Sequence, residues 1–188
     1  MWNNEKILVT GGNGFLGGTI VKSLIKKSCR DITVFCRTPS PALEKLGIKV
    51  ISGDLRDPSS LNKACENRTI IFHTAAKAGI WGEKKDFFEI NVDGTINLIA
   101  SAHKNKIQML IHTSSPSVVI PEEGVENADE NSPYPKRYLS YYAESKALAE
   151  KAVIAASSSK LRTIALRPHL IWGPGDPHIL PRIIKMAK

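Results

Sequence analysis

Short apolar runs separated by segments of helical pattern constrain the fold of this chain more than any other feature of its sequence. The runs are rich in Val, Ile and Thr and do not alternate with polar residues, which is typical of strands buried on both faces. They occupy residues 6–10, 32–36, 48–52, 69–74, 108–113 and 162–167, and helical patterns cover 15–28, 58–67, about 84–104 and about 139–157. Strand alternating with helix predicts an α/β protein with a doubly wound parallel sheet.

The first apolar run leads through a glycine-rich loop into an amphipathic helical segment, and the loop glycines are Gly11, Gly12, Gly14 and Gly17. Their spacing satisfies GxGxxG, in which glycine allows a tight turn and a close approach of the backbone to a pyrophosphate. The helix start, at Phe15 and Leu16, presents free N–H groups and its positive dipole end to phosphates. Because the strand before and the helix after are both present, the motif predicts a dinucleotide-binding Rossmann fold.

The end of the second apolar run bears on the choice of coenzyme. An acid about 20 residues after the glycine loop would bind the ribose hydroxyls of NAD. The sequence instead reads Cys36-Arg37-Thr38. The guanidinium fork of Arg37 suits a 2′-phosphate, so NADP(H) is favoured over NAD(H); the alternative is that Arg37 is only a surface residue at a strand end.

Tyr142 and Lys146 lie four positions apart in a helical pattern, and this spacing places both side chains on one face. A free tyrosine has a pKa of about 10, and a nearby ammonium favours the phenolate and lowers that pKa. A catalytic role also requires a donor that orients the substrate oxygen. Ser115, with Ser114 beside it, follows the fifth apolar run and is the best-placed donor.

Several stretches together resemble the extended short-chain dehydrogenase/reductases, a superfamily that includes epimerases and dehydratases. They are TGGNGFLG, GDLRD, HTAAKAG, NVDGT, TSSPSVV, YYAESK and LRPHLIWGPGDP. Within that superfamily the chain is similar to the branch of 3β-hydroxysteroid dehydrogenases and sterol-4α-carboxylate 3-dehydrogenases, and to the 2-alkyl-3-oxoalkanoate reductases. The resemblance extends over essentially the whole chain.

The resemblance implies a role for each matching position. Ser115, Tyr142 and Lys146 would form the catalytic set, with Asn91 in support. The coenzyme would contact Gly11, Gly14, Phe15, Leu16, Gly17, Arg37, Asp54, Leu55, Ala75, Ala76, Lys77, Thr113, Tyr142, Lys146, Pro168, His169 and Leu170. In this set the residues at 54–55 flank the adenine, those at 75–77 line the ribose region, and those at 168–170 hold the nicotinamide carboxamide.

These observations predict an oxidoreductase that transfers a hydride between nicotinamide and a secondary alcohol or ketone of a hydrophobic substrate, either 3β-hydroxysteroid-like or 3-oxoacyl. In the reductive direction Tyr142 would donate the proton and Ser115 would orient the carbonyl oxygen, while Lys146 would lower the pKa of Tyr142 and hold the ribose. One alternative is a nucleotide-sugar epimerase with tightly bound NAD, against which Arg37 counts. Another is a dinucleotide-binding protein without catalysis. Pro116-Ser117 stands where related dehydratases carry Asp-Glu, which disfavours dehydration.

Composition disfavours several other classes of protein. The net charge is +8, but the basic residues are dispersed, with no basic tail, so no nucleic-acid partner is predicted. Neither the cysteines nor His73, His112 and His169 show metal-ligand spacing, and no metal is predicted. No apolar run approaches the roughly 20 residues that cross a bilayer. Without an apolar leader segment, a cytoplasmic location is expected.

The resemblance also bears on organisation. We expect residues 1–176 to form the NAD(P)-binding domain and 177–188 to begin a substrate-binding lobe that is largely missing, since members of the superfamily continue well past this length. The stretch 115–138, proline-rich and acidic, is expected to be a functional loop. Helices near 84–104 and 139–157 often form a dimer contact in such proteins, so a homodimer is plausible.

Overall fold

Strands and helices alternate along the chain, whose structure, a computed structural model, describes residues 2–79, 81–121, 123–177 and 179–187. Within these residues the strands are β1 (Lys6–Thr10), β2 (Asp31–Cys36), β3 (Lys49–Ser52), β4 (Ile70–His73), β5 (Met109–Thr113) and β6 (Arg162–Leu166). The α-helices are α1 (Phe15–Lys26), α2 (Pro41–Glu44), α3 (Pro58–Cys65), α4 (Lys84–Phe87), α5 (Gly94–Lys104), α6 (Tyr141–Ala155) and α7 (Ile179–Met186). Parts of the predicted segments 115–138 and 177–188 lie outside the described residues, at 122, 178 and 188.

The strands form one parallel sheet in the order β3-β2-β1-β4-β5-β6. On one side of β1, Ile7 pairs with Ile32 of β2, and on the other side it pairs with Ile70 of β4. The order of addition therefore reverses between β1 and β4, and the carboxyl ends of these two strands border the crevice in which such sheets bind ligands. The predicted doubly wound parallel sheet is confirmed.

Two apolar clusters cover the two faces of the sheet. Alternate residues of β1 divide between them, because successive side chains of a strand point to opposite faces. Leu8 joins a cluster with Leu61 of α3 and Leu98 of α5. Ile7 joins a second cluster with Val21 of α1. Burial on both faces was predicted for all the runs and is wrong for the two edge strands. No residue of β3 is fully buried, and in β6 Ile164 and Leu166 are about half exposed.

The predicted helix at 84–104 has a more detailed structure than its pattern indicates. It consists of α4, a π-helix at Phe88–Asp93 and α5. A Cβ at Gly94, the first residue of α5, would lie 2.7 Å from the Cβ of Leu55, so glycine allows the helix to approach the loop after β3. Two short elements were not predicted, α2 and a 3₁₀ helix at Pro116–Val119. Among the described helices, none is both long and apolar enough to span a membrane.

Two glycines hold α1 close to the loop that precedes it. Gly11 has φ +70°, in the left-handed region that favours glycine. A Cβ at Gly17 would lie 2.3 Å from the carbonyl oxygen of Gly11 and 2.7 Å from Oγ1 of Thr74. Since no Cβ fits at such distances, the approach of α1 to the ends of β1 and β4 depends on glycine at position 17.

We therefore expect Gly17→Ala to destabilise the fold by about 1 to 3 kcal/mol, the usual cost of overpacking, and to lower Tm by several degrees. Gly18→Ala is the matched control. Its Cβ would meet the carbonyl oxygen of Gly12 at 3.4 Å, an ordinary contact, and alanine has the higher helix propensity. Thermal unfolding followed by circular dichroism measures both variants, and an equal Tm for the two would contradict this account of the packing.

Candidate active site

Two adjoining cavities open at the carboxyl ends of the strands, and both are lined in part by Thr74 and Ala76. The first, here called the glycine-loop cavity, has a volume of about 350 Å³ and is lined by Gly11, Asn13, Gly14, Phe35, Cys36, Arg37, Gly53, Asp54, Leu55, Thr74, Ala75, Ala76, Lys77 and Ile90. The second, the tyrosine cavity, is also about 350 Å³ and is lined by Thr74, Ala76, Ala78, Thr113, Ser114, Ser115, Pro116, Tyr142, Lys146, Pro168, His169, Leu170, Ile171 and Ile179. The shared residues make the two cavities neighbours along one edge of the sheet.

Most of the predicted site residues lie in these linings, and they divide between the two cavities. Four do not line either cavity: Phe15, Leu16, Gly17 and Asn91. Phe15 and Leu16 are the first residues of α1, and Gly17 is buried against Gly11. Thr74 and Asn13 line the glycine-loop cavity but were not singled out from the sequence.

The start of α1 presents backbone donors beside the glycine-loop cavity. Gly14 is its N-cap residue, and among the described residues no side chain caps this end. The N–H of Gly14 donates to the carbonyl of Gly11 at 2.9 Å, which closes the turn. Asn13 Nδ2 donates to Thr38 Oγ1 at 3.1 Å and ties the loop to the end of β2. An uncapped helix start with its positive dipole end suits an anionic group.

The Asp54 carboxylate lies on the far side of the same cavity and is held by Arg56. Arg56 donates to it through Nε at 2.9 Å and through Nη2 at 2.8 Å. These hydrogen bonds are the main reason that the pKa of Asp54 is lowered, and the positive charge of Arg37 contributes in the same direction. The cavity therefore contains an oriented carboxylate with the Arg37 guanidinium near it.

Asn91, in the π-helix, supports the backbone after β4 rather than lining a cavity. Its Oδ1 accepts from the N–H of Lys77 at 2.8 Å, and its Nδ2 donates to the carbonyl of Lys77 at 3.0 Å. The same Nδ2 is 3.0 Å from Oγ of Ser145 on α6. A π-helical turn inside a longer helix is frequent at functional sites, and here it connects the end of β4 to the helix that carries Tyr142 and Lys146.

His73 is buried and fully hydrogen-bonded. Thr95 donates to the carbonyl of Asn91 at 2.6 Å, so its oxygen is free to accept from His73 Nε2 at 3.0 Å. His73 Nδ1 then accepts from the Thr10 hydroxyl at 2.7 Å. Burial lowers the pKa of His73 to about 3, so the ring is neutral. These contacts give His73 a structural role.

Ser115 and Tyr142 meet in the tyrosine cavity. Burial raises the pKa of Tyr142, and the hydrogen bond with the Ser115 hydroxyl acts in the opposite direction. The prediction that Lys146 lowers this pKa is wrong, because Lys146 is not among the groups that shift it. Burial raises the pKa of Tyr142 more than the hydrogen bond with Ser115 lowers it. The phenol packs edge-on against Phe87, with 6.5 Å between ring centroids.

The Lys146 ammonium is almost completely buried, with 3% of the residue exposed. Its Nζ donates to the carbonyl of Thr113 at 2.6 Å and to His112 Nε2 at 3.2 Å. Burial lowers the pKa of Lys146 to about 7, against an opposing influence of Glu150. Burial and the charge of Lys146 also hold the pKa of His112 well below its usual range, so His112 is a neutral acceptor.

A buried ion pair that the sequence analysis missed lies behind this cavity. Glu150 is fully buried; Arg167 donates to its carboxylate through Nη2 at 2.6 Å and Nε at 3.1 Å, and the Tyr134 hydroxyl donates at 2.7 Å. Burial alone would raise the pKa of Glu150, but hydrogen bonds from Arg167 and Tyr134 lower it. Glu150 follows Lys146 by four residues, and that helical spacing was the available signal.

Comparison with known proteins agrees with the fold and shows the family. The chain is 44% identical over 187 residues to a 2-alkyl-3-oxoalkanoate reductase of Shewanella oneidensis, covering 96% of this chain and 48% of the relative. It is 36% identical over 183 residues to a decarboxylating sterol-4-alpha-carboxylate 3-dehydrogenase of Schizosaccharomyces pombe, covering 94% and 53%. Among solved structures, the UDP-glucose 4-epimerase of Thermus thermophilus in complex with NAD superposes with a TM-score of 0.81 at 29% identity, covering 96% and 60%.

The chain spans about half the length of these curated relatives. The relatives named as a reductase and a dehydrogenase match nearly the whole chain. A family model matches residues 8–188, which include all the predicted site residues. By that match, and by its identity to these relatives, the chain belongs to the 3-beta hydroxysteroid dehydrogenase/isomerase family.

Proposed function

We propose that this chain contributes the coenzyme-binding and proton-transfer residues of an NAD(P)-dependent oxidoreductase. The reaction is hydride transfer between nicotinamide and a secondary alcohol or ketone of a hydrophobic substrate, 3β-hydroxysteroid-like or 3-oxoacyl. One observation carries the proposal: Ser115, Tyr142 and Lys146 line a single cavity that adjoins the cavity beside the glycine loop. The names of the relatives, a reductase and a 3-dehydrogenase, support oxidoreduction at an oxygen-bearing carbon.

The residues around the glycine-loop cavity suit a dinucleotide. Gly17 leaves no Cβ between α1 and the loop, and the uncapped N–H groups of Phe15 and Leu16 are available for a pyrophosphate. In this proposal the adenine lies beside Asp54 and Leu55. The nicotinamide end then extends past Ala76 into the tyrosine cavity. The NAD complex of the Thermus thermophilus epimerase supports a nicotinamide coenzyme in a fold of this kind.

The protein's own residues then move a proton and hold the reactants, while the bound coenzyme supplies or accepts the hydride. In the reductive direction the Tyr142 phenol donates its proton to the substrate oxygen, and the Ser115 hydroxyl orients that oxygen. The Lys146 ammonium donates to ribose hydroxyls, and the hydrogen bond from the Ser115 hydroxyl favours the phenolate left on Tyr142.

A nucleotide-sugar epimerase is the second candidate, favoured by the structural similarity to the UDP-glucose 4-epimerase. Cys36 and Arg37 count against it. Neither can accept hydrogen bonds from both ribose hydroxyls of NAD, as a carboxylate at that position would. The Arg37 guanidinium lines the glycine-loop cavity and favours the 2′-phosphate of NADP(H).

Replacing Tyr142 by Phe tests the proton donor. We expect turnover to fall by at least about 100-fold, the usual contribution of general acid–base catalysis, with an unchanged dissociation constant for NADPH because the ring still packs against Phe87. The measurement is oxidation of NADPH in the presence of a bulky ketone, with fluorescence titration of the coenzyme. Tyr141→Phe is the control, since that hydroxyl belongs to a residue 46% exposed. Undiminished turnover in Tyr142→Phe would refute the assigned role.

Replacing Arg37 by Ala tests the coenzyme preference. Loss of a charge-assisted hydrogen bond costs about 1.5–3 kcal/mol, so we expect NADPH to bind about 10- to 100-fold more weakly while NADH affinity stays the same. Fluorescence titration with each coenzyme measures the two affinities. Arg30→Ala is the control, because Arg30 is exposed before β2. Equal losses for both coenzymes would contradict recognition of a 2′-phosphate by Arg37.

The buried ammonium predicts a pH dependence of coenzyme binding. The pKa of Lys146 is about 7 in the folded protein, so the ammonium is present below this pH and is lost as pH rises through it. If the ammonium donates to ribose hydroxyls, affinity falls as pH rises from about 6 to 9. NADH is the probe, since a 2′-phosphate itself titrates near pH 6. Lys146→Arg stays charged and should remove the fall; a flat wild-type profile would overturn the assignment.

A further inference from the structure

We propose that Glu150 is a positioning residue, which through its ion pair with Arg167 holds the segment 168–170 against the helix that carries Tyr142 and Lys146. The inference rests on the proposed function, in which that segment contacts the nicotinamide end of the coenzyme. It assigns a role to a carboxylate that lines neither cavity. The ion pair of Glu150 and Arg167 is called the Glu150 clamp below.

The Glu150 clamp joins two elements that both line the tyrosine cavity, α6 and the segment after β6. Glu150 lies on α6, one helical turn after Lys146 and two turns after Tyr142, so the three side chains share a face. Arg167 directly follows β6 and directly precedes Pro168, which lines the cavity. The guanidinium meets the carboxylate through two nitrogens, at 2.6 and 3.1 Å. Such a fork fixes direction as well as distance.

The Glu150 clamp also forms hydrogen bonds with the long loop before α6. Tyr134 donates to Glu150 at 2.7 Å, and the same ring lies under the Lys151 ammonium at 4.3 Å. Arg167 Nη1 donates to the carbonyl of Asp129 at 3.4 Å. The loop before α6 and the segment after β6 therefore meet at one carboxylate, and Arg167 also ties these two segments to each other.

A buried ion pair is weak evidence for a role in stability, because desolvation offsets much of its attraction, and apolar residues of similar size are often as stable. At this position the ion pair of Glu150 and Arg167 orients the segment that follows Arg167. It also places a negative charge near the Lys146 ammonium. The titratable groups that face that ammonium are His112 of β5, His73 of β4 and Glu150 itself, and of these only Glu150 favours the charged lysine.

The test measures how tightly the variant Glu150→Gln binds NADH, and how tightly it binds ADP, which lacks the nicotinamide half of the coenzyme. Misplacement of a binding segment should weaken NADH on the order of tenfold, while ADP, which reaches only the glycine-loop cavity, binds as in the wild type. The fall of NADH affinity with pH should also begin at lower pH than in the wild type, since the charge that favours the ammonium has been removed. Glu144→Gln is the matched control. That carboxylate lies on the same helix, but it is partly exposed and is 3.6 Å from Lys84, and we expect no change in either ligand.

Removing one partner of a buried pair can unfold a protein, so the double variant Glu150→Met with Arg167→Met is made as well. Apolar replacement preserves the buried volume, and the variant should fold. We expect the same selective loss of NADH affinity. Hydrogen exchange of the buried Ser114 amide, which donates to the carbonyl of Leu166 at 2.6 Å next to Arg167, should increase in both variants without a matching increase in β1, because only the clamped segment is released.

Three outcomes would overturn the clamp. NADH and ADP affinities that fall together would indicate a role in folding alone. A folded double variant with the wild-type NADH affinity and pH profile would show that the carboxylate positions nothing. Unchanged exchange of the Ser114 amide would show that the segment is held by other contacts. If the wild type binds neither NADH nor ADP, the proposed function fails, and the exchange measurement alone then decides the clamp.

Discussion

The approach of α1 to the carboxyl ends of β1 and β4 is the constraint on which the rest of the site depends. Gly17 lies against the carbonyl of Gly11 at a distance that excludes any Cβ. This contact brings the helix start, with its unpaired N–H groups, to the point where the sheet reverses its order. The glycine-loop cavity, which Gly11 and Gly14 line, follows from that placement, and the tyrosine cavity adjoins it through Thr74 and Ala76.

Opposite charges are buried on one face of α6, the helix that lines the tyrosine cavity. Lys146 is held by a carbonyl and a neutral histidine, and burial brings its pKa to about 7. Glu150, one turn further, is kept ionised by Arg167. Lys146 lines the tyrosine cavity, and Glu150 on the same helix face does not. Buried charges such as those of Lys146, Glu150 and Arg167 hold their side chains in place at some cost in desolvation. They therefore contribute more to the positions of these groups than to the stability of the fold.

Much of this architecture could be predicted from residue patterns. The positions of the apolar runs indicated the strands to within a residue or two. The succession of strand, loop and helix around Gly11 to Gly17 indicated the dinucleotide-binding fold. The pattern could not distinguish central from edge strands, so the exposure of Ile164 and Leu166 was missed. It also missed the π-helix around Asn91, because apolar spacing over a few residues does not separate a π-helical turn from an α-helical one.

The sequence by itself determined the order of elements, the glycine loop and the shared helical face of Tyr142 and Lys146, because these depend on local spacing and on the intrinsic properties of residues. Only the tertiary structure decided the electrostatics of the site. Whether a tyrosine or lysine is buried, and which groups face it, depends on residues far apart in the chain, such as Ser115 for Tyr142 and His112 for Lys146. For that reason the pKa of Tyr142 is raised rather than lowered, and for that reason Arg167 and Tyr134 converge on Glu150.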